Sequence, residues 1–147
     1  MPVFYETVNI EPPKIKRRII SHWIKNIAGS FEKKVGDITY IFCDDEEILR
    51  INELYLKHNY YTDIITFDYS ENNRISGDLF ISLDTVNTNA ETYKVDYEEE
   101  LLRVIIHGVL HLCGLKDKLP KEEKEMRIQE DKALMVYKQI NSSGGNE

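Results

Sequence analysis

The chain has 147 residues, 41% of them hydrophobic and 31% charged, with a net charge of −7. That is an ordinary globular composition, long enough for one domain with a real core, and its acidic balance excludes a protein that coats nucleic acid through overall charge while leaving room for a local basic groove. No apolar run is long enough to span a bilayer, the start MPVFYETVNIEPP lacks the pattern of a signal peptide, and two cysteines, Cys43 and Cys113, imply no disulfide framework, so a reducing, cytoplasmic setting is expected.

Residues 3–9 read as a short strand. Pro12 and Pro13 can open a helix in which Ile15, Ile19, Ile20, Trp23, Ile24 and Ile27 recur at helical spacing and which Gly29 ends. DITYIFC, 37–43, reads as a strand. Asp44 or Asp45 then caps a helix to about Leu56, with acidic residues in its first turn where the dipole favours them. TDIITFDY (62–69), SENNR and GDLFISL (77–83) read as strand, hairpin loop and strand. Asp84 caps a short helix through about Tyr93, and Asp96 with Glu99 forms a capping box for the next, which Gly114 ends. Pro120 opens a last helix with Met126, Ala133, Tyr137 and Ile140 on its apolar face. The order predicts an α+β fold, a small mixed β-sheet with helices packed on it. One domain over residues 1–140 is expected, with a disordered tail, NSSGGNE, at 141–147.

The helix before Gly114 carries the chemistry. In LLRVIIHGVLHLC, 101–113, nine of thirteen residues are apolar, so the helix is buried on most sides. Glu100, Arg103, His107 and His111 follow at spacings of three, four and four and share one stripe. Side chains four apart converge, and two neutral imidazoles so placed make half of a zinc site. Asp117, beyond the helix-ending glycine, can return as an oxygen ligand. Two histidines and a carboxylate leave a fourth position for water, the pattern of a catalytic zinc. The competing reading is two histidines that each hydrogen-bond a neighbour on a half-buried helix. Gly108 stands where zinc proteases carry a glutamate, which disfavours that class.

HGVLHLCG with its following turn resembles the signature of the YbeY family, bacterial metal-dependent endoribonucleases of ribosomal RNA maturation. His107, Gly108, His111, Leu112 and Gly114 match, and Asp117 stands where the common pattern has a third histidine. INELYLKHNYYTDIITF (51–67) resembles a second family segment through Asn52, Tyr55, Thr62, Asp63 and Phe67, with Leu56 in place of the family's arginine. GDLFIS (77–82) resembles a third. The matches run in order over about residues 44–118. The resemblance implies a small mixed sheet with the metal-binding helix against it, in the C-terminal half. It implies one zinc per chain, other divalent metals being possible, and trimming of ribosomal RNA, notably the 3′ end of the small-subunit RNA, with ribosome quality control. Ribosomal RNA is the implied partner, with small-subunit ribosomal proteins besides.

Metal ligands are therefore expected at His107, His111 and Asp117. Lys116 and Lys118, which flank Asp117, are expected to contact substrate phosphate, as are His58 in a loop and Arg103 on the stripe, the latter alternatively a structural partner of a carboxylate. Lys14, Lys16, Arg17, Arg18 and Lys25 on the first helix form one wall of an RNA groove or a solvated face. Cys113 lies off the ligand stripe and reads as a core thiol. His22 reads as a surface or packing residue, and Asp63 and Asp78 as turn or backbone-bonding residues. Two other functions stay open: an RNA- or ribosome-associated binding protein with a structural or vestigial metal site, and a metallohydrolase of a non-nucleic substrate.

Overall fold

The computed structural model describes residues 3–57 and 62–144. Its elements follow the expected order: β1 (Val3–Val8), α1 (Arg17–Ser30), β2 (Lys34–Cys43), α2 (Asp45–Leu56), β3 (Ile64–Asp68), β4 (Arg74–Ser82), α3 (Leu83–Tyr93), α4 (Tyr97–Leu112) and α5 (Pro120–Gly144). Among the described residues the strands form one sheet in the order β1-β2-β4-β3. β1, β2 and β4 run parallel, and β3 pairs antiparallel with its hairpin neighbour β4. The sheet is thus mixed, and β3 lies at its edge.

Side chains alternate across the sheet. Tyr40, Phe42, Leu79 and Ile81 point to one face and join α1 and α4 in the main core. Cys43, Ile65 and Phe80 point to the other and meet Ile48 and Ile51 of α2 in a smaller cluster. α4 is tied down by the Tyr40 hydroxyl, which donates to Ile105 O at 2.9 Å. α5 packs across α1 and α4. There the fully buried Trp23 donates from Nε1 to Ala133 O at 2.8 Å and meets the Tyr137 ring edge-on at 4.9 Å. Losing such a buried indole costs about 3–5 kcal/mol.

Four local expectations are corrected. α1 opens at Arg17, not at the prolines, and its first backbone bond runs from Ile20 N to Lys16 O. Pro13 biases Pro12 towards extended backbone, and Ile10 and Ile15 pack on the core from outside the helix. Ser82, not Asp84, caps α3, accepting from Thr85 N at 3.2 Å. Asp84 instead accepts from Asp45 N at 3.0 Å, at the start of α2. Asp96 is the N-cap residue of α4 but forms no side-chain cap, so the capping box is absent. Three glutamates in the first turn favour that helix end electrostatically instead. Finally, α5 continues past Ile140 to Gly144, where Ser142 and Ser143 donate back to Gln139 O and Lys16 Nζ donates to Asn141 Oδ1 at 2.8 Å.

Candidate metal centre

α4 lies close to the sheet because Gly108 has no side chain. A Cβ there would overlap Leu79 and come within 2.9 Å of Ile64 Cδ1. A glutamate next to His107 is therefore not merely missing; there is no room for one. With the apolar sides of the helix sealed, its polar stripe faces a recess bordered by Thr66 and Asp68 of β3 and by Thr62 and Asp63 just before it.

The turn after α4 delivers Asp117. Cys113 N bonds to Val109 O and Leu115 N to Leu110 O, closing the helix end. Gly114 adopts φ +107°, a conformation that suits glycine. The reversed chain then lays the Asp117 carboxylate over both imidazoles. Asp117 Oδ2 stands 3.2 Å from His107 Nε2 and 3.2 Å from His111 Nε2. The three donor atoms lie within 4.8 Å of one another. Ligand atoms about 2.0–2.1 Å from a tetrahedral zinc stand roughly 3.3 Å apart, so this donor set fits a small divalent cation.

The outer ring nitrogens sharpen that fit. His111 Nδ1 lies 3.0 Å from Leu115 O. A carbonyl only accepts, so Nδ1 carries the proton and the neutral ring turns a bare Nε2 lone pair towards Asp117. His107 Nδ1 lies 2.6 Å from Glu130 Oε2. That carboxylate accepts too, which leaves the second neutral ring in the same state. Two lone pairs and a carboxylate oxygen facing one point repel each other unless a cation or protons stand between them. A carboxylate or carbonyl behind each metal-ligating histidine is also the usual supporting arrangement.

Glu130, on α5, was not anticipated from the sequence. It is 5% exposed and bound on two sides, by His107 and by Arg103 Nη1 at 2.9 Å. Burial pushes its carboxyl up, but the bonds from His107 and Arg103 outweigh this and hold it below the usual range. Burial likewise disfavours a charged His107, yet Glu130, Asp117 and Asp63 prevail and raise its pKa. Burial raises Asp63, which His107 opposes. The only sequence signal for Glu130 is an acidic residue on the buried side of α5, in a segment with four other acidic residues, Glu122, Glu123, Glu125 and Asp131.

The remaining candidates divide. Arg103 spends its guanidinium on Glu130 and on Asp131, the latter at 2.8 Å, as the structural alternative for it expects. Lys116 and Lys118 are exposed on either side of Asp117. His58 lies outside the described residues. Cys113 packs against the core. His22 is exposed on α1. Asp78 pairs with Phe67 across the hairpin and accepts from the Tyr69 hydroxyl at 3.4 Å. Of the basic group, Lys14 and Lys16 precede α1 and Arg17, Arg18 and Lys25 lie on it; all five are exposed and line neither recess beside the histidine pair. Arg17 covers the Tyr5 ring at 5.4 Å.

Fold and donor set together define a small α+β protein whose central helix presents a two-histidine, one-carboxylate centre able to hold a metal ion. The chain belongs to the YbeY family: the model described as Endoribonuclease YbeY matches residues 5–138. Endoribonuclease YbeY of Bacteroides fragilis is 58% identical over 139 residues, 95% of this chain and 100% of its own length. That of Parabacteroides distasonis is 59% identical over 136 residues, 92% of this chain and 96% of its own. A solution structure from Thermotoga maritima shares the fold, with a TM-score of 0.65 at 22% identity over 98% of this chain and 92% of that one.

Proposed function

We propose that this protein is a metal-dependent endoribonuclease of ribosomal RNA maturation, acting at the 3′ end of the small-subunit RNA and in ribosome quality control. The reading assigns zinc as its ion, one catalytic domain over residues 1–140 and the cytoplasm as its setting. Family membership supports the RNA substrate, and no helix among the described residues is long and apolar enough to cross a membrane. The observation that carries the metal is the meeting of two Nε2 lone pairs on one Asp117 oxygen. His107, His111 and Asp117 hold the ion, and their nitrogen-rich set favours zinc over magnesium or calcium. Such an ion supplies Lewis-acid polarisation of a phosphodiester and a lowered pKa for water. Glu130 and Leu115 O fix the tautomer and aim of each ring. Arg103 keeps Glu130 ionised and in place. Lys116 and Lys118 reach for substrate phosphates from the rim.

A vestigial centre would have no reason to keep both outer nitrogens bonded, which weighs against a binding protein with a vestigial site; against one with a structural site weighs the fourth position that three protein ligands leave open. The absence of room for a glutamate at Gly108 weighs against a zincin-like amide hydrolase.

The test is cleavage of a precursor of small-subunit ribosomal RNA by purified protein, beside a peptide panel. Metal-dependent RNA cleavage, removed by chelator and by His111→Ala, is expected. Zinc-loaded protein that leaves RNA intact, or cleavage unchanged in His111→Ala, overturns the reading.

A further inference from the structure

His107 and Asp117 border two recesses, not one. The first is the β3 side already described, where the charged lining among the described residues is acidic: Asp63, Asp68 and Asp117. The second, with a cavity volume of about 710 Å³, opens between the end of α3 and the first turns of α5. Its size suits a drug-sized or nucleotide-sized occupant. It carries an aromatic ring and two cations. Tyr93 is 56% exposed at the last residue of α3, and Lys124 and Arg127 project from α5.

We infer that this α3–α5 recess is a subsite for the single-stranded RNA that flanks the scissile phosphodiester. Tyr93 is its base-stacking platform, and Lys124 and Arg127 are its phosphate contacts. The inference rests on the endoribonuclease reading and adds the direction in which the strand leaves the metal centre. An exposed ring beside spaced cations is how proteins hold single strands without reading sequence. Asp117 borders both flanks, but among the described lining residues only the α5 flank carries Lys or Arg. A polyanion leaving the centre along β3 meets carboxylates alone among these residues; leaving over α5 it also meets Lys124 and Arg127.

The opposing charges on this flank are accounted for. Glu130 is buried and taken by His107 and Arg103. Arg127 approaches it only loosely, at 3.6 Å, from a side chain that is 58% exposed. A contact this long, from an exposed guanidinium to a carboxylate already held by His107 and Arg103, yields readily to a phosphate. Asp117, shared with the metal centre, and the exposed Glu123 are the other two carboxylates that line it. Met126 packs beneath and gives the recess an apolar floor for a base.

The test measures binding of a fluorescein-labelled single-stranded RNA to zinc-loaded protein by anisotropy across a salt series, together with cleavage of the same RNA. Tyr93→Ala is expected to weaken binding about tenfold, with Tyr93→Phe close to wild type. Lys124→Ala combined with Arg127→Ala is expected to flatten the slope of log affinity against log salt by ~1.4, two single-strand phosphates' worth. Lys34→Ala, an exposed cation remote from either recess, serves as the charge control and should change neither. Wild-type affinity and slope in the Tyr93 and Lys124/Arg127 variants, while wild type still cleaves RNA, overturn this subsite alone. Wild-type protein that neither binds nor cleaves RNA overturns the endoribonuclease reading and the subsite with it.

Discussion

His107 Nδ1 and Glu130 Oε2 lie 2.6 Å apart although 23 residues separate them in the chain. This contact joins α5 to the candidate ligand helix and fixes which nitrogen of His107 faces Asp117. Glu130→Gln keeps an acceptor but removes the charge behind the ring. Zinc affinity is expected to fall about 10–100-fold, the usual cost of losing such a support. Competition against a chromogenic chelator measures it. Unchanged affinity would mean that the pair only packs α5 against α4.

Asp117 is expected to be replaceable by another ligand but not by a side chain without one. Asp117→His should keep one zinc per chain, whereas Asp117→Ala should lose most of its affinity. Stoichiometry after chelator stripping and reloading decides it, and equal metal in all three proteins would remove Asp117 from the ligand set. Because metal bound only by the folded state stabilises it, zinc should also raise the thermal midpoint of wild type more than that of Asp117→Ala.

Gly108→Ala should destabilise the fold despite alanine's better helix propensity of about 1 kcal/mol. The added methyl meets Leu79, which is fully buried and must shift within the packed core. A net loss of about 1–3 kcal/mol is expected, read as a lower urea midpoint at unchanged slope. Zinc affinity should fall too, because His107 moves with the helix. A variant as stable as wild type would show that α4 can shift without cost.

The two thiols should be inert in the folded protein. Burial, helped by Glu47, Asp44, Asp45 and Asp84, pushes Cys43 up to about 12. Burial pushes Cys113 up to about 11, with Lys33 opposing. Since the thiolate is the reactive form, alkylation should stay slow at neutral and mildly alkaline pH and accelerate on unfolding. Rapid native-state labelling of Cys113 would mean an open, ionised thiol near the metal position.

Much of this was legible along the chain. The element order came from periodicities that are local properties of backbone and burial, and Asp44 indeed caps α2 by accepting from Glu47 N at 2.9 Å. The pair His107 and His111 was visible because helical geometry alone brings i and i+4 side chains together. Asp117 was within reach because a glycine-terminated helix returns the chain nearby. The helix starts were less legible. Asp84 and Ser82 are both competent caps, and the choice fell to Ser82 because Asp84 is drawn to the Asp45 amide, 39 residues away.

What the amino-acid sequence determined by itself was therefore the set of elements, the polar stripe on a buried helix and the family that stripe belongs to. Tertiary structure alone decided the strand order, the closeness of α4 to Leu79 and Ile64, and the partners of the candidate ligands. Glu130 is one acidic residue among several on α5, and only the packing of α5 across α4 separates it from the rest. The same packing brings Arg103, a candidate phosphate contact, onto Glu130 and Asp131. Short-range order follows from steric and hydrogen-bonding preferences that each segment carries with it. Contacts between distant segments depend on how whole faces fit, and no short stretch of sequence encodes that.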